Sequence, residues 1–140
     1  MHVIPIGDEK SLTMRAMCPW QVKADFESWL EYSARKRVFA LRKKLWAQEY
    51  KESLRAVTEA CGAGTFSWGG DAMNACLQQL PGICKLIVLL ANDADPNQGV
   101  NESKIQGLMK DEHVAPLLLG AYREVLQSDP NFLVPPTEGG

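Results

Sequence analysis

The most constraining feature of this chain is a long stretch, Trp20 to Cys61, that contains neither glycine nor proline. Those two residues are the strongest breakers of regular structure, so a long stretch without them favours helix. It ends in a turn over residues 62–71 that is rich in glycine and aromatic residues. Gly62 suits the left-handed position that often follows a helix. We expect Phe66 and Trp68 to pack back onto the helix that precedes them.

Apolar side chains in this stretch recur at helical spacing, but in two separate stripes. The first stripe consists of Val22, Phe26, Trp29, Leu30 and Ser33, and the second of Phe39, Trp46, Tyr50, Leu54, Val57 and Cys61. At ~100° per residue, the second stripe lies roughly 90–120° round the helix from the first. One straight helix would therefore present its two halves to different neighbours. We predict a break between residues 33 and 37, with helices over about 20–33 and about 37–61.

The second half of the chain predicts shorter helices separated by polar residues, glycine or proline. Asp71 is a suitable N-cap for a helix over 72–79, which residues 80–82 should end because they include Pro81 and Gly82. Residues 83–91 are apolar on nearly every side, which predicts a central helix. After a polar loop at 92–99, we expect a short helix from about Asn101. A last helix should cover about 112–127, with Pro116 in its first turn.

The N-terminal segment reads differently from the rest of the chain. Residues 3–6 contain a proline and are typical of an edge strand, and residues 12–17 alternate as a second strand would. The two pieces can pair as a small ribbon against the helices, or they can stay irregular. The sequence thus predicts a mostly α fold, a compact bundle of five or six helices over residues 19–128. An extended segment, 1–18, precedes it, and a flexible tail, 129–140, follows it.

Composition and charge narrow the classes of protein. The 140 residues are 46% hydrophobic and 23% charged, which is ordinary for a globular protein. The apolar run at 83–91 is too short to span a bilayer, and the N-terminus lacks a signal-peptide pattern, so we expect a cytoplasmic protein. The net charge of −2 divides into +3 for residues 1–60 (11 Lys/Arg, 8 Asp/Glu) and −5 for 61–140 (4 Lys/Arg, 9 Asp/Glu). Such halves can attract each other within one molecule or associate copies head to tail.

The cysteines are not spaced for metal binding. They stand at positions 18, 61, 76 and 84, whereas zinc sites usually bring two ligands within a few residues of each other. Disulfides are not expected in a chain without a secretion signal. We therefore interpret the cysteines as buried free thiols that act as small apolar residues, and we expect no metal and no cofactor.

Other candidate sites are incomplete. The glycines of residues 62–70 follow a predicted helix and lack the Lys-Ser/Thr pair of a phosphate-binding loop. Residues 93–97 begin like a calcium loop, but Lys104 stands where the bidentate acid should be. His113, beside Asp111 and Glu112, is a candidate for proton transfer. No nucleophile accompanies it, and acids at a helix start explain the cluster. We expect no enzymatic activity and assign no catalytic residue.

A basic cluster is the strongest electrostatic feature of the chain. It consists of two groups of three cations seven residues apart: Arg35, Lys36 and Arg37, and then Arg42, Lys43 and Lys44. Binding of a phosphate backbone needs cations on one shared surface. These six would spread over more than half of a helix circumference, and the acidic residues Glu31, Glu49 and Glu52 lie nearby. A solvated helix face is the favoured interpretation, and a nucleic-acid-binding module is the alternative.

The four tryptophans favour a protein-binding surface. Large aromatic residues are enriched where proteins bind one another, although core packing would also account for some of them. The candidate interface residues are Trp20, Phe26, Trp29, Trp46 and Tyr50.

Several segments carry a resemblance to a known class of protein. They are FESWLEY at 26–32, CGAGTFSWGG at 61–70, LPGI before an aliphatic helix at 80–83, and SDPNF at 128–132. With the basic helix between the first two, this layout resembles small helical proteins of tailed-phage and prophage structural modules. The nearest resemblance is to the tail assembly chaperones or a neighbouring morphogenesis factor.

The resemblance implies a non-enzymatic function. Tail assembly chaperones coat the tape measure protein and hide its apolar helical stretches until tail-tube subunits polymerise around it. The implied partners are thus the tape measure protein and tail-tube subunits in the host cytoplasm, with homo-oligomers as a further option. Nucleic acid and membranes are not expected as partners. Such a protein needs an exposed apolar groove within a charged exterior.

Overall fold

The computed structural model describes residues 1–129 and confirms the predicted mostly α fold with a short N-terminal ribbon. Apart from Asp129, the predicted flexible tail at 129–140 lies outside the described residues. The elements of the described part are β1 (His2–Gly7), β2 (Lys10–Met14), α1 (Trp20–Ala40), α2 (Ala47–Gly62), α3 (Asp71–Cys76), α4 (Leu80–Ala94), a 3-10 turn (Pro96–Gln98), α5 (Glu102–Met109) and α6 (Ala115–Gln127).

The ribbon is antiparallel and packs on the helical core. Ile4 lies opposite Leu12, and both side chains are buried. The Gln98 side chain fastens β2 to the turn after α4: its Oε1 accepts the backbone N–H of Thr13 at 2.9 Å, and its Nε2 donates to the Thr13 carbonyl at 2.9 Å. Arg15, which follows the last residue of β2, donates its N–H to the Leu90 carbonyl of α4 at 3.3 Å. The N-terminal segment is thereby joined to the central helix.

Helix α4 is the centre of the fold, as its apolar sequence predicts. Its buried residues are Gly82, Cys84, Leu86, Ile87, Val88, Leu90 and Ala91. The predicted start at residue 83 is wrong, because α4 already begins at Leu80. Pro81 opens this helix instead of ending the previous one, since a first-turn residue needs no N–H donor.

The predicted break between residues 33 and 37 is also wrong. Val22, Phe26 and Leu30 are buried as the first stripe requires, but α1 continues to Ala40 and the chain turns over residues 41–46. The shift between the two stripes only requires a break somewhere between them. Phe39 belongs to α1 and not to the second stripe, so the break falls later.

The glycine turn also differs from the prediction. Gly62 is the last residue of α2, and the left-handed backbone angles occur at Gly64 (φ 75°) and Gly69 (φ 87°). Trp68 packs on α1. Its ring lies edge-on to Phe26, with centroids 6.2 Å apart, and its backbone N–H donates to Glu27 Oε1 at 2.7 Å. The ring contact and the carboxylate explain why the turn folds towards α1.

The remaining helices begin near their predicted positions. The N-cap of α3 is Gly70, and Asp71 is its first residue. Asn101 caps α5, with its side chain accepting the Lys104 N–H at 2.8 Å. Helix α6 begins at Ala115, three residues later than predicted, and holds Pro116 in its first turn as expected. Within residues 1–129, no helix combines the length and apolar character needed to cross a membrane.

Candidate protein-binding surface

Helices α1 and α2 pack against each other as a helical hairpin, and α2 is its less protected arm. None of the 16 residues of α2 is buried. Its apolar side chains Tyr50, Leu54, Val57 and Cys61 are only half-buried. Their spacing of four, three and four residues places them on one helical face, which we call the α2 face. The chain therefore holds a complete apolar stripe that its own fold covers only in part.

The turn of the hairpin is well ordered by backbone hydrogen bonds. The N–H groups of Lys44 and Leu45 both donate to the Leu41 carbonyl, at 2.9 and 3.0 Å. The Tyr50 N–H donates to the Trp46 carbonyl at 2.9 Å, which starts α2. The side chains of this turn thus extend from a fixed backbone.

Three apolar side chains project from the turn and its flanks. Trp46 is 81% exposed, Phe39 is 53% exposed, and Leu41 is also exposed. We call these three residues the hairpin tip. Burial of one such side chain is worth about 1.5–3 kcal/mol, so their exposure forfeits a large favourable term. Exposed large apolar side chains at one turn make this region a candidate interaction site.

The five predicted interface residues differ in their exposure: two are exposed, two are half-buried and one is buried. Trp20 is 77% exposed at the start of α1, and Trp46 lies at the hairpin tip. Trp29 and Tyr50 are half-buried, and Trp29 packs on the core beside Phe26, with ring centroids 5.3 Å apart. Phe26 is fully buried, so its assignment to an interface is wrong: it belongs to the core under Trp68.

At the hairpin tip, sequence reasoning missed the exposed apolar residues Phe39 and Leu41. The second stripe includes Phe39 without naming it as an interface residue, and neither stripe includes Leu41. The neighbouring sequence could have indicated their exposure, because residues 32–48 contain six cations and no acidic residue. Apolar residues in so polar a setting are poor candidates for a core.

The basic cluster divides between two elements. Arg35, Lys36 and Arg37 belong to the last turns of α1, whereas residues 42–44 form the turn. The heptad spacing therefore does not describe one helix face. Arg35 is half-buried and the other five residues are exposed. Within residues 1–129, none of the six forms an ion pair with an acidic side chain.

A shallow groove of about 390 Å³ lies beside the start of α1. It is lined by Trp20, Lys23, Ala24, Glu27, Trp68 and Gly69. Lys23 Nζ lies 2.8 Å from Asp129 Oδ2 and 5.8 Å from the centroid of the Trp68 ring. Asp129 is buried, so this ion pair holds the end of the described chain against α1. Lys23 thus has a structural role at the edge of the groove.

The candidate proton-transfer cluster acts as a helix start. Asp111 Oδ1 accepts the backbone N–H of His113 at 2.8 Å and that of Val114, the N-cap of α6, at 3.4 Å. The His113 side chain is exposed, 3.8 Å from Glu112. In the described residues, no group of three or more His, Cys, Asp or Glu side chains is placed to hold a metal.

The buried titratable groups are protected from reaction. Cys18 and Cys84 are buried, whereas Cys61 and Cys76 are half-buried. Burial raises the pKa of Cys18 to about 12, so its thiol stays protonated and unreactive near neutral pH. Burial also raises the pKa of Tyr122, whose hydroxyl donates to the Leu77 carbonyl at 2.6 Å. These groups stabilise the core.

In the described part of the chain, the hairpin therefore exposes both apolar and cationic side chains. It presents a half-covered apolar face, an exposed aromatic tip and unpaired cations, all held by ordered backbone. Comparisons with protein-family models, with curated proteins and with solved structures found no match to this chain.

Proposed function

We propose that this protein is a non-enzymatic binding factor of phage tail assembly, a chaperone that shields apolar helical stretches of a tape measure protein in the host cytoplasm. One observation supports this most: α2 is amphipathic yet contains no buried residue, and the adjoining Trp46 is 81% exposed. A self-sufficient monomer would gain stability by covering these groups.

The shape of the surface suits a helical partner. Helix α2 has 16 residues and is thus ~24 Å long, comparable to four or five turns of a second helix. An apolar helix laid along the α2 face would meet side chains at the spacing that such recognition uses. Trp46 and Phe39 would supply the aromatic anchors that usually dominate a protein interface.

The experiment is a co-expression pull-down of the tagged protein with fragments of the tape measure protein from the same genome. We expect capture of a fragment with apolar helical repeats, and at least a tenfold loss of affinity for the double variant Phe39→Ala/Trp46→Ala, since anchors cost over ~1 kcal/mol when truncated. The matched control is Leu117→Ala, a half-exposed apolar residue of α6, which should bind normally. Absence of capture by the folded wild-type protein would refute the proposal.

The alternative, a nucleic-acid-binding module, is favoured only by the cations of residues 35–44, none of which forms an ion pair within residues 1–129. It predicts a steep salt dependence, about 10³–10⁵ in affinity between 50 and 200 mM salt for six to ten phosphate contacts. Recognition of an apolar helix should lose less than about tenfold over that range, because salt screens ion pairs but does not screen the burial of apolar surface. Repeating the pull-down at both salt concentrations, with duplex DNA as a second ligand, distinguishes the two functions.

A further inference from the structure

The charge of the hairpin is a feature that apolar recognition leaves unexplained. Between Glu31 and Glu49 the chain carries six cations and no acidic residue. Five of these cations are exposed, and none forms an ion pair within residues 1–129. Like charges this close repel one another. An anionic ligand would relieve that repulsion.

The cations and the apolar side chains alternate along the same segment of the hairpin. Phe39 lies two residues after Arg37, and Trp46 lies two residues after Lys44. The hydrogen bonds around Leu41 fix the turn that carries residues 42–44. A ligand that contacts Trp46 and Phe39 is therefore within reach of these long basic side chains.

We propose that the hairpin tip and its cations bind a segment of a protein partner that is both helical and acidic. Its apolar side would contact Phe39, Leu41 and Trp46, and carboxylates flanking that side would pair with Arg42, Lys43 and Lys44. This inference rests on the proposed function and adds the charge of the partner segment to it.

A protein segment fits this surface better than nucleic acid does. The exposed cations are accompanied by the three exposed apolar side chains of the hairpin tip, whereas a phosphate backbone rewards mainly cations. The cations lie on two elements and do not form one track along a helix. The whole chain is also acidic, with a net charge of −2, and its second half would repel a long polyanion. A short acidic helix avoids that repulsion.

The experiment compares two labelled 18-residue peptides by fluorescence anisotropy. Both carry the same apolar helical face, but the polar face holds Glu in one and Lys in the other. We expect the Glu peptide to bind at least tenfold more tightly at 50 mM salt. The triple variant Arg42→Glu/Lys43→Glu/Lys44→Glu should reverse this preference, and Phe39→Ala/Trp46→Ala should weaken binding of the Glu peptide.

The matched control reverses three exposed cations elsewhere, Lys104→Glu/Lys110→Glu/Arg123→Glu, and should keep the preference for the Glu peptide. Circular dichroism confirms that each variant is folded. Equal binding of both peptides, or binding of neither, overturns this inference. Capture of tape measure fragments reports on the proposed function separately, so the two failures are distinguishable. Tighter binding to duplex DNA or to phosphatidylglycerol vesicles than to the Glu peptide would also overturn it.

Discussion

Gly82 occupies a position that no larger residue can take without moving its neighbours. It is buried in the first turn of α4, where a Cβ would lie 2.1 Å from the Cys76 carbonyl oxygen. We therefore expect Gly82→Ala to lower the free energy of unfolding by at least about 1–3 kcal/mol, the usual cost of overpacking. Urea denaturation followed by circular dichroism measures this change.

Gly120 is the matched control for that substitution. It also lies within a helix, α6, but nothing stands within 4 Å of an added Cβ. Alanine is a better helix former than glycine, so Gly120→Ala should raise the free energy of unfolding by about 0.5–1 kcal/mol. Equal effects of the two substitutions would contradict the close packing of α4 against the end of α3.

At the same scale, Phe26 and Trp46 show what sequence alone could not decide. Both are aromatic and both fit a helical stripe, yet Phe26 is fully buried and Trp46 is 81% exposed. Periodicity places a residue on a face but does not say what covers that face. Phe26 is covered by Trp68, which lies 42 positions further along the chain and contacts α1 only after folding. The sequence around Phe26 does not predict that contact.

At the scale of elements, a helix was predictable where its cap residue or its apolar pattern was strong. The start of α5 was predictable because Asn101 is a good cap, and α4 because its apolar run is continuous. The turn over residues 41–46 contains no glycine or proline, and its N-cap residue, Trp46, makes no side-chain capping hydrogen bond. A turn without turn residues depends on the packing of α2 against α1. The candidate surface at that turn was therefore only partly foreseen.

The hairpin should also differ from the core in local stability. Helices open more readily where few apolar contacts hold them. Because α2 has no buried residue and α4 has seven, we expect amide hydrogens of α2 to exchange at least about tenfold faster than those of α4. Hydrogen exchange with mass spectrometry measures this ratio. Equal protection of the two helices in the free monomer would mean that α2 is not the weakly held arm.

At the scale of the whole molecule, the unequal charges of the two halves are used internally. Cations near the N-terminus pair with acids of the second half: Arg15 Nε lies 2.9 Å from Asp93 Oδ2, and Lys23 Nζ lies 2.8 Å from Asp129 Oδ2. His2 lies 3.5 Å from Glu124. These pairs join the N-terminal segment and α1 to α4 and α6. Within residues 1–129, the cations of residues 35–44 take no part in these ion pairs.

The loss of stability at alkaline pH also belongs to the whole fold, because three thiols and one tyrosine hydroxyl contribute to it. Burial raises the pKa of Cys18 from 9.0 to about 12, and it also raises the pKa values of Cys76, Cys84 and Tyr122. Near Cys18, Lys23 opposes this shift, and Asp129 and Asp93 add to it. Above pH 9 the unfolded chain releases protons that the folded chain keeps, so the free energy of unfolding must fall as pH rises from 9 towards 12.

Cys18→Ala isolates the contribution of one thiol to that fall. A single group that is ionised only in the unfolded state contributes at most about 1.4 kcal/mol per pH unit. Urea denaturation between pH 8 and 11 should therefore give a shallower decline for Cys18→Ala than for the wild type, whatever the variant costs at pH 7. Val22→Ala serves as the control, since it truncates a buried side chain of α1 that carries no titratable group and should leave the wild-type slope unchanged. Parallel declines for all three proteins would mean that the Cys18 thiol ionises as readily in the folded protein as in the unfolded chain.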